Sequence, residues 1–193
     1  MIYDLVKTNR SYRKFHEDCK IDKNTLEELV DLARLSGCGM NLQSLKFAIA
    51  NSPKDLEAVY PNIKWAAFLK DWEGPKPGER PTGFIFLFKD TSLQNSFVTQ
   101  IDIGIACQSI LLGAVEKGLG GCMIGNIDKK AIYEYFDFDR IYDLQLIIAL
   151  GKPNQNVVLD EIENGEDTKY WMDDKEIHHV PKRKLKDIII ERD

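Results

Sequence analysis

The chain has 193 residues, 44% of them hydrophobic and 30% charged, which suits one domain with a real core and excludes a mostly disordered chain. A formal net charge of -5 and a pI near 5.3 exclude a general polyanion surface, so neither nucleic acid nor an anionic membrane is an expected partner and any phosphate site must be a local basic patch. Cys19, Cys38, Cys107 and Cys122 form no C-x-x-C pair, and with three histidines there is no ligand set for zinc, so no metal site is expected. Each cysteine reads first as a small buried hydrophobe in a reducing compartment, with Cys122 the one position to watch. The opening residues lack an apolar signal core and no apolar run is expected to reach membrane-spanning length, so the protein is expected to be cytoplasmic.

Ile2, Leu5 and Val6 keep helical spacing up to Asn9, and Arg10-Ser11-Tyr12-Arg13-Lys14-Phe15 follows directly. A solvated basic turn is the plain reading of that cluster. Ser11 between Arg10 and Arg13 supplies the functional one: a hydroxyl and two guanidinium forks can meet a phosphate or a carbonyl edge. Asp22 to Glu28 supplies cap candidates, with Thr25 and Glu28 fitting a capping box, for an amphipathic helix that ends near Ser36-Gly37. Asn41 and Gln43 then lie on a loop before a strand over 47–50, where amides either stabilise the turn or read the polar edge of a heterocycle.

A short helix over 53–59 leads to an aromatic-rich stretch over 61–72 and a run over 73–81 with too many Pro and Gly residues for a regular element. That run is an exposed linker or a lid before a strand over 84–88. Residues 101–117 predict a helix apolar on nearly every side, with no solvent face, to be enclosed by its own domain or by a second subunit. Gly118, Gly120 and Gly121 close it and lead into Cys122-Met123-Ile124-Gly125, where small residues let backbone N–H groups approach a flat or anionic ligand. Asp128 caps a short helix, a buried strand over 144–150 stops at Gly151-Lys152-Pro153, and residues 160–174 form a solvated excursion around Tyr170 and Trp171. A second basic cluster, Lys182-Arg183-Lys184, follows His178-His179, itself read as a surface turn, and residues 187–191 predict a terminal strand. There is no internal repeat and no second-domain signal over 1–193, and alternating helix and strand signals give a mixed α/β or α+β class.

A dinucleotide fingerprint fails here, because Met123 stands where the last glycine of Gly118-Leu-Gly120-Gly121-Cys122-Met123 should be, and the glycines follow a helix. No Walker motif and no G-x-S-x-G elbow occur. Five pieces in chain order nevertheless resemble the nitroreductase family of FMN-dependent oxidoreductases. They are Asn9-Arg10-Ser11-Tyr12-Arg13-Lys14-Phe15; Ala33-Arg34-Leu35-Ser36 with Asn41-Leu42-Gln43; Asp102-Ile103-Gly104 through Gln108 and Gly118 to Gly125; Ala149-Leu150-Gly151-Lys152-Pro153; and Pro181-Lys182-Arg183-Lys184-Leu185.

The resemblance implies an α+β fold with a mixed central sheet flanked by helices, a homodimer with the long helix at its interface, and one FMN at each end of that interface. It implies that Arg10, Ser11 and Arg13 hold the phosphate and pyrimidine edge of FMN, that Lys182, Arg183 and Lys184 complete the phosphate site, and that Asn41 and Gln43 come from the partner chain. Cys122, Met123, Ile124 and Gly125 would lie along the flavin with a backbone N–H on N5 or O4. It further implies ping-pong hydride transfer from NAD(P)H through FMN to a small acceptor such as a nitroaromatic, quinone or enone, with no catalytic side chain. A flavin-binding or redox-responsive protein with Cys122 as its sensing thiol is the alternative. Asn9 stands where many relatives carry Arg, Ser44 where many carry Pro, and the 65–81 stretch matches no member well enough to name a substrate.

Overall fold

A computed structural model describes residues 1–69, 72–94 and 96–191; Lys70 and Asp71 of the aromatic-rich stretch lie outside the described residues. Two compact units are present, Met1–Trp65 with Gly74–Asn154, and Ala66–Glu73 with Gln155–Asp193. In chain order the first holds α1 (Ile2–Thr8), β1 (Phe15–His16), α2 (Lys23–Leu35), β2 (Leu45–Ala50), α3 (Pro53–Val59), β3 (Gly83–Asp90), α4 (Val98–Glu116), β4 (Gly120–Ile124), α5 (Lys129–Phe136) and β5 (Tyr142–Pro153).

The first unit is built on a five-stranded sheet, ordered β1-β5-β3-β2 with β4 also paired to β5. Its strand pairs are antiparallel, and a parallel bridge from Ser11 to Gly121 adds mixed pairing at the β4 edge. The unbroken apolar run Phe84-Ile85-Phe86-Leu87-Phe88 makes β3 a strand buried on both faces. Alternation sends Ile85 and Leu87 to a core with α2 and α4, and Phe84, Phe86 and Phe88 to a second core with α3 and α5. The result is a sheet between two helical layers, the α+β architecture expected.

Local signals decided some boundaries differently from the reading above. Asp22, not Thr25, caps α2: its Oδ1 accepts the Thr25 N–H at 2.7 Å, and Glu28 instead pairs with Lys117 at 2.5 Å, so no Thr25–Glu28 capping box forms. A carboxylate at the N-cap bonds free N–H groups and also complements the helix dipole, which a hydroxyl cannot do. The solvated excursion over 160–174 is partly regular, because the second unit holds β6 (Val157–Ile162), β7 (Trp171–Met172) and β8 (His178–Arg183) in the order β6-β8-β7, with β6 and β8 parallel. His178 and His179 therefore sit in a strand rather than a surface turn, and His178 is buried. The expected terminal strand over 187–191 does not form. A 3-10 turn covers Leu185–Asp187, and Ile188, Ile189 and Ile190 stay exposed, since a run of isoleucines needs a sheet edge to become a strand.

The long helix is enclosed by its own unit on one face only. Asp102, Ile103, Ala106, Cys107, Ile110, Leu111 and Ala114 are buried on one side of α4, while Ile101 and Ile105 are 55% and 38% exposed on the other. Its own unit thus encloses one face and leaves an apolar stripe uncovered. By length and composition alone, with 19 residues and a mean hydropathy of 1.5, α4 would suffice to cross a membrane, contrary to the expectation that no run does; half of it is buried within the chain, as in a core helix. At Gly113 an added Cβ would lie 2.2 Å from Leu32, so glycine sets the close approach of α2 to α4.

The 73–81 run splits between behaviours. Phe15 N–H donates to the Glu79 carbonyl at 2.9 Å, and the Glu17 carboxylate accepts the N–H groups of Gly78 at 2.5 Å and Arg80 at 3.3 Å. From Gly78 onward the run is a strap fastened to β1 and the residues after it.

Candidate functional site

The basic stretch after α1 runs beside β4, because the Tyr12 N–H donates to the Gly121 carbonyl at 3.0 Å and Ser11 bridges Gly121. Arg13 is only 7% exposed, an unusual depth for a guanidinium, and its Nη1 donates to the Ser11 carbonyl at 3.1 Å. Arg10 is half committed to α1: Nη2 donates to the Val6 carbonyl at 2.7 Å, while its Nε is buried with no hydrogen-bond partner among the described residues. Burial lowers its pKa against the pull of Tyr12, whose own hydroxyl donates to the Thr8 carbonyl at 2.9 Å. Asn9 contributes a 3.4 Å bond to Gln108 on α4, tying the stretch to that helix.

β4 presents one edge to β5 and the other to this cluster. Since the Gly121 carbonyl serves Tyr12, strand alternation turns the N–H and C=O of Met123 the same way, away from β5. The side chains alternate as well: Cys122 and Ile124 are buried, Met123 is 48% exposed, and an added Cβ at Gly125 would meet nothing within 4 Å. The outward-facing groups of the Cys122 to Gly125 segment therefore include the Met123 N–H and C=O, its thioether and an open glycine. Burial pushes the Cys122 thiol up, opposed by the Arg13 cation and by hydrogen bonds from Ser11 and Arg13. Contact among these three side chains joins two stretches more than a hundred residues apart.

Asn41 and Gln43 are exposed on the loop that follows α2, and their backbones explain why the loop is unusual. Met40, Asn41 and Gln43 have φ of 54°, 52° and 50°, a left-handed conformation that costs energy for residues with a Cβ and that clusters at functional sites. Two groups hold the loop. Cys38 Sγ accepts the Gln43 N–H at 3.2 Å, and Asp102 Oδ1, on α4, accepts the Gly39 N–H at 2.8 Å. Ser44 does not leave the loop slack, as it is 1% exposed and its carbonyl accepts the Asp90 N–H at 2.8 Å.

Lys182 and Arg183 end β8 in the second unit and are exposed. Lys184 is bonded to the Glu163 carboxylate, which raises its pKa. Asp102, part of the Asp102-Ile103-Gly104 piece, and Cys38 are two positions to which residue patterns assign no role in holding this loop. Asp102 was visible as a carboxylate in an otherwise apolar helix, and its second oxygen, Oδ2, is buried without a hydrogen-bond partner among the described residues. Nothing in the sequence marked Cys38.

Burial separates the four thiols. Cys19 and Cys38 are partly exposed, Cys107 is buried with its pKa pushed up to about 12, and Cys122 is raised the same way. Titration of the native protein with a disulfide reagent is expected to give a fast phase from Cys19 and Cys38 alone, with Cys107 and Cys122 reacting only on unfolding. A fast third thiol would contradict the burial of Cys107 on α4 or of Cys122 on β4.

The Nitroreductase family model matches residues 6–152, which spans α1 to β5 and so both walls of the Ser11–Gly121 seam. YodC of Bacillus subtilis (strain 168), whose name places it among NAD(P)H nitroreductases, is 25% identical over 177 residues, covering 77% of this chain and 88% of its own. The crystal structure of a nitroreductase family protein from Streptococcus pneumoniae TIGR4 superposes with a TM-score of 0.69 at 16% identity over 100% of both chains. A nitroreductase from Exiguobacterium sibiricum 255-15, solved in complex with FMN, gives 0.64 at 19% identity over 80% of this chain and 89% of its own. The basic stretch, the long helix, β4 and β5 all fall inside the matched segment, and on that match the chain belongs to the nitroreductase family.

Proposed function

We propose that this protein is an FMN-dependent oxidoreductase that moves hydride from NAD(P)H to a small acceptor, such as a nitroaromatic, a quinone or an enone, by a ping-pong cycle in the cytoplasm. The observation that carries the reading is the buried Arg13 beside Ser11, packed against a strand that turns the Met123 N–H away from β5. These residues fit FMN. A fixed cation stabilises an anionic ring edge, an edge-strand N–H bonds a ring nitrogen or carbonyl, and the open Gly125 leaves room for a flat system.

FMN, when bound, supplies the hydride chemistry; the chain's part is to hold and tune it. In this proposal Arg13 sits at the pyrimidine edge, Arg10 and Ser11 bind phosphate together with Lys182, Arg183 and Lys184, and Met123 donates its N–H. Asn41 and Gln43 act on the site of a second copy, and the strained backbone that presents them supports a role beyond turn formation. The uncovered stripe of Ile101 and Ile105 on α4 supports a homodimer that covers it. No side chain here is asked to act as a general acid, since solvent reaches an open edge.

Purified protein is expected to be yellow, to release one FMN per chain, to sediment as a dimer, and to bleach on adding NADH or NADPH. Colourless protein that takes up no added FMN overturns the proposal. Bound FMN that neither nucleotide reduces would instead make it a flavin-binding protein without turnover, a reading against which the buried Cys122 offers no sensing thiol.

A further inference from the structure

The second unit carries a cavity that the proposed reaction does not use. Its volume is about 820 Å³, and Phe68, Tyr170 and Trp171 line it together with Asp160, Glu166 and Asp167. Phe68 and Trp171 are 54% and 49% exposed, so two large rings that could have been buried face solvent. They are nevertheless held in place. The Phe68 and Tyr170 ring centroids lie 5.1 Å apart, and the Phe68 N–H donates to the Tyr170 hydroxyl at 3.4 Å. Trp171 stacks on His179 at 4.0 Å with an interplanar angle of 5°, and the same imidazole bonds Asp160 through Nδ1 at 2.8 Å. One histidine therefore fixes both an aromatic wall and a carboxylate, so the site needs little ordering to bind.

The charge around the rings has one sign in excess. Among the described lining residues three carboxylates stand against one ammonium, Lys169, which is itself 3.4 Å from Asp167. Electron-rich ring faces and carboxylates both favour positive charge, and together they repel phosphates and other anions. A neutral apolar ligand would use the rings and leave the carboxylates idle. We propose that this cavity binds a flat organic cation, of the quaternary aromatic ammonium class. The inference does not rest on the flavin proposal, because none of the residues it uses is among those assigned there to FMN.

Calorimetric titration of the full-length chain with N-methylquinolinium, against quinaldine at a pH where quinaldine is uncharged, tests it. The cation is expected to bind about tenfold more tightly than its neutral counterpart. Added FMN should leave that binding unchanged. Trp171→Leu and Phe68→Leu should each weaken it about 3- to 10-fold, and Glu166→Gln by a smaller factor that disappears at high salt. Phe68 is more than half exposed, so Phe68→Leu carries the test if loss of the Trp171–His179 stack impairs folding. Equal affinity for the two probes, no binding of either, displacement by FMN, or full affinity in Phe68→Leu each overturns the proposal.

Discussion

Arg13→Ala is expected to lower FMN retention about 10- to 150-fold, corresponding to the 1.5–3 kcal/mol of a hydrogen bond to a charged group. The residue is buried, bonded to the Ser11 carbonyl and in contact with Cys122, so its guanidinium is fixed before any ligand arrives. A preorganised cation loses little entropy on binding, and a low-dielectric setting strengthens its pull on an anionic ring edge. The measurement is the FMN dissociation constant by fluorescence titration of stripped protein, with melting of the flavin-free variant recorded beside it. Truncating a buried Arg also removes packing, so a fall in melting temperature is expected in the flavin-free state. The proposal fails if the flavin-free variant melts lower while FMN affinity stays within twofold of the parent, because Arg13 would then serve the fold alone.

The second large effect is expected at the seam between the basic stretch and the sheet. A Cβ added at Gly121 would lie 2.6 Å from the Ala149 carbonyl oxygen, 2.8 Å from Leu150 and 2.9 Å from Leu111. Backbone of a central strand cannot give way as a side-chain tip can, so Gly121→Ala must push β4 off β5 or twist it. Overpacking of this kind costs about 1–3 kcal/mol. For a chain of this size each kcal/mol is worth about 2–4 °C in Tm. The displacement also moves the carbonyl that anchors Tyr12 and the strand that carries Met123, so FMN loss should accompany the lower Tm. Gly125→Ala is the matched control, since its added Cβ meets nothing within 4 Å and a near-parental Tm is expected. Equal melting of Gly121→Ala and parent in a thermal scan would show that β4 is not held as described.

The same seam shows what residue patterns can and cannot convey. Arg10, Ser11 and Arg13 stood out as a dense basic run with a hydroxyl inside it, and the Cys122 to Gly125 segment as a short run after glycines. Each was legible alone. That they touch follows from Ser11 pairing with Gly121, a non-local bridge with no sequence signature. The same limit explains the Asp187 to Glu191 segment, where β-branched residues signalled a strand but no strand pairing is made among the described residues. At α2 the misjudged start was local: Asp22 and Thr25 both suit a cap, and the chain geometry chose the carboxylate.

By itself the sequence determined the elements whose signal is periodic or continuous, because hydrophobic spacing acts within a few residues of chain. The doubly buried β3, the amphipathic α2 and the apolar α4 belong here, as does the order of motifs by which the family could be identified. Tertiary structure decided which faces those elements cover and which polar groups they leave exposed or strained. Only packing shows that α4 is enclosed on one side and bare along Ile101 and Ile105, that Asp102 reaches across to hold Gly39, and that Asn41 and Gln43 stand on a left-handed backbone. The physical reason is that burial and hydrogen bonding between distant segments depend on three-dimensional complementarity, which a single chain encodes collectively rather than in any one stretch.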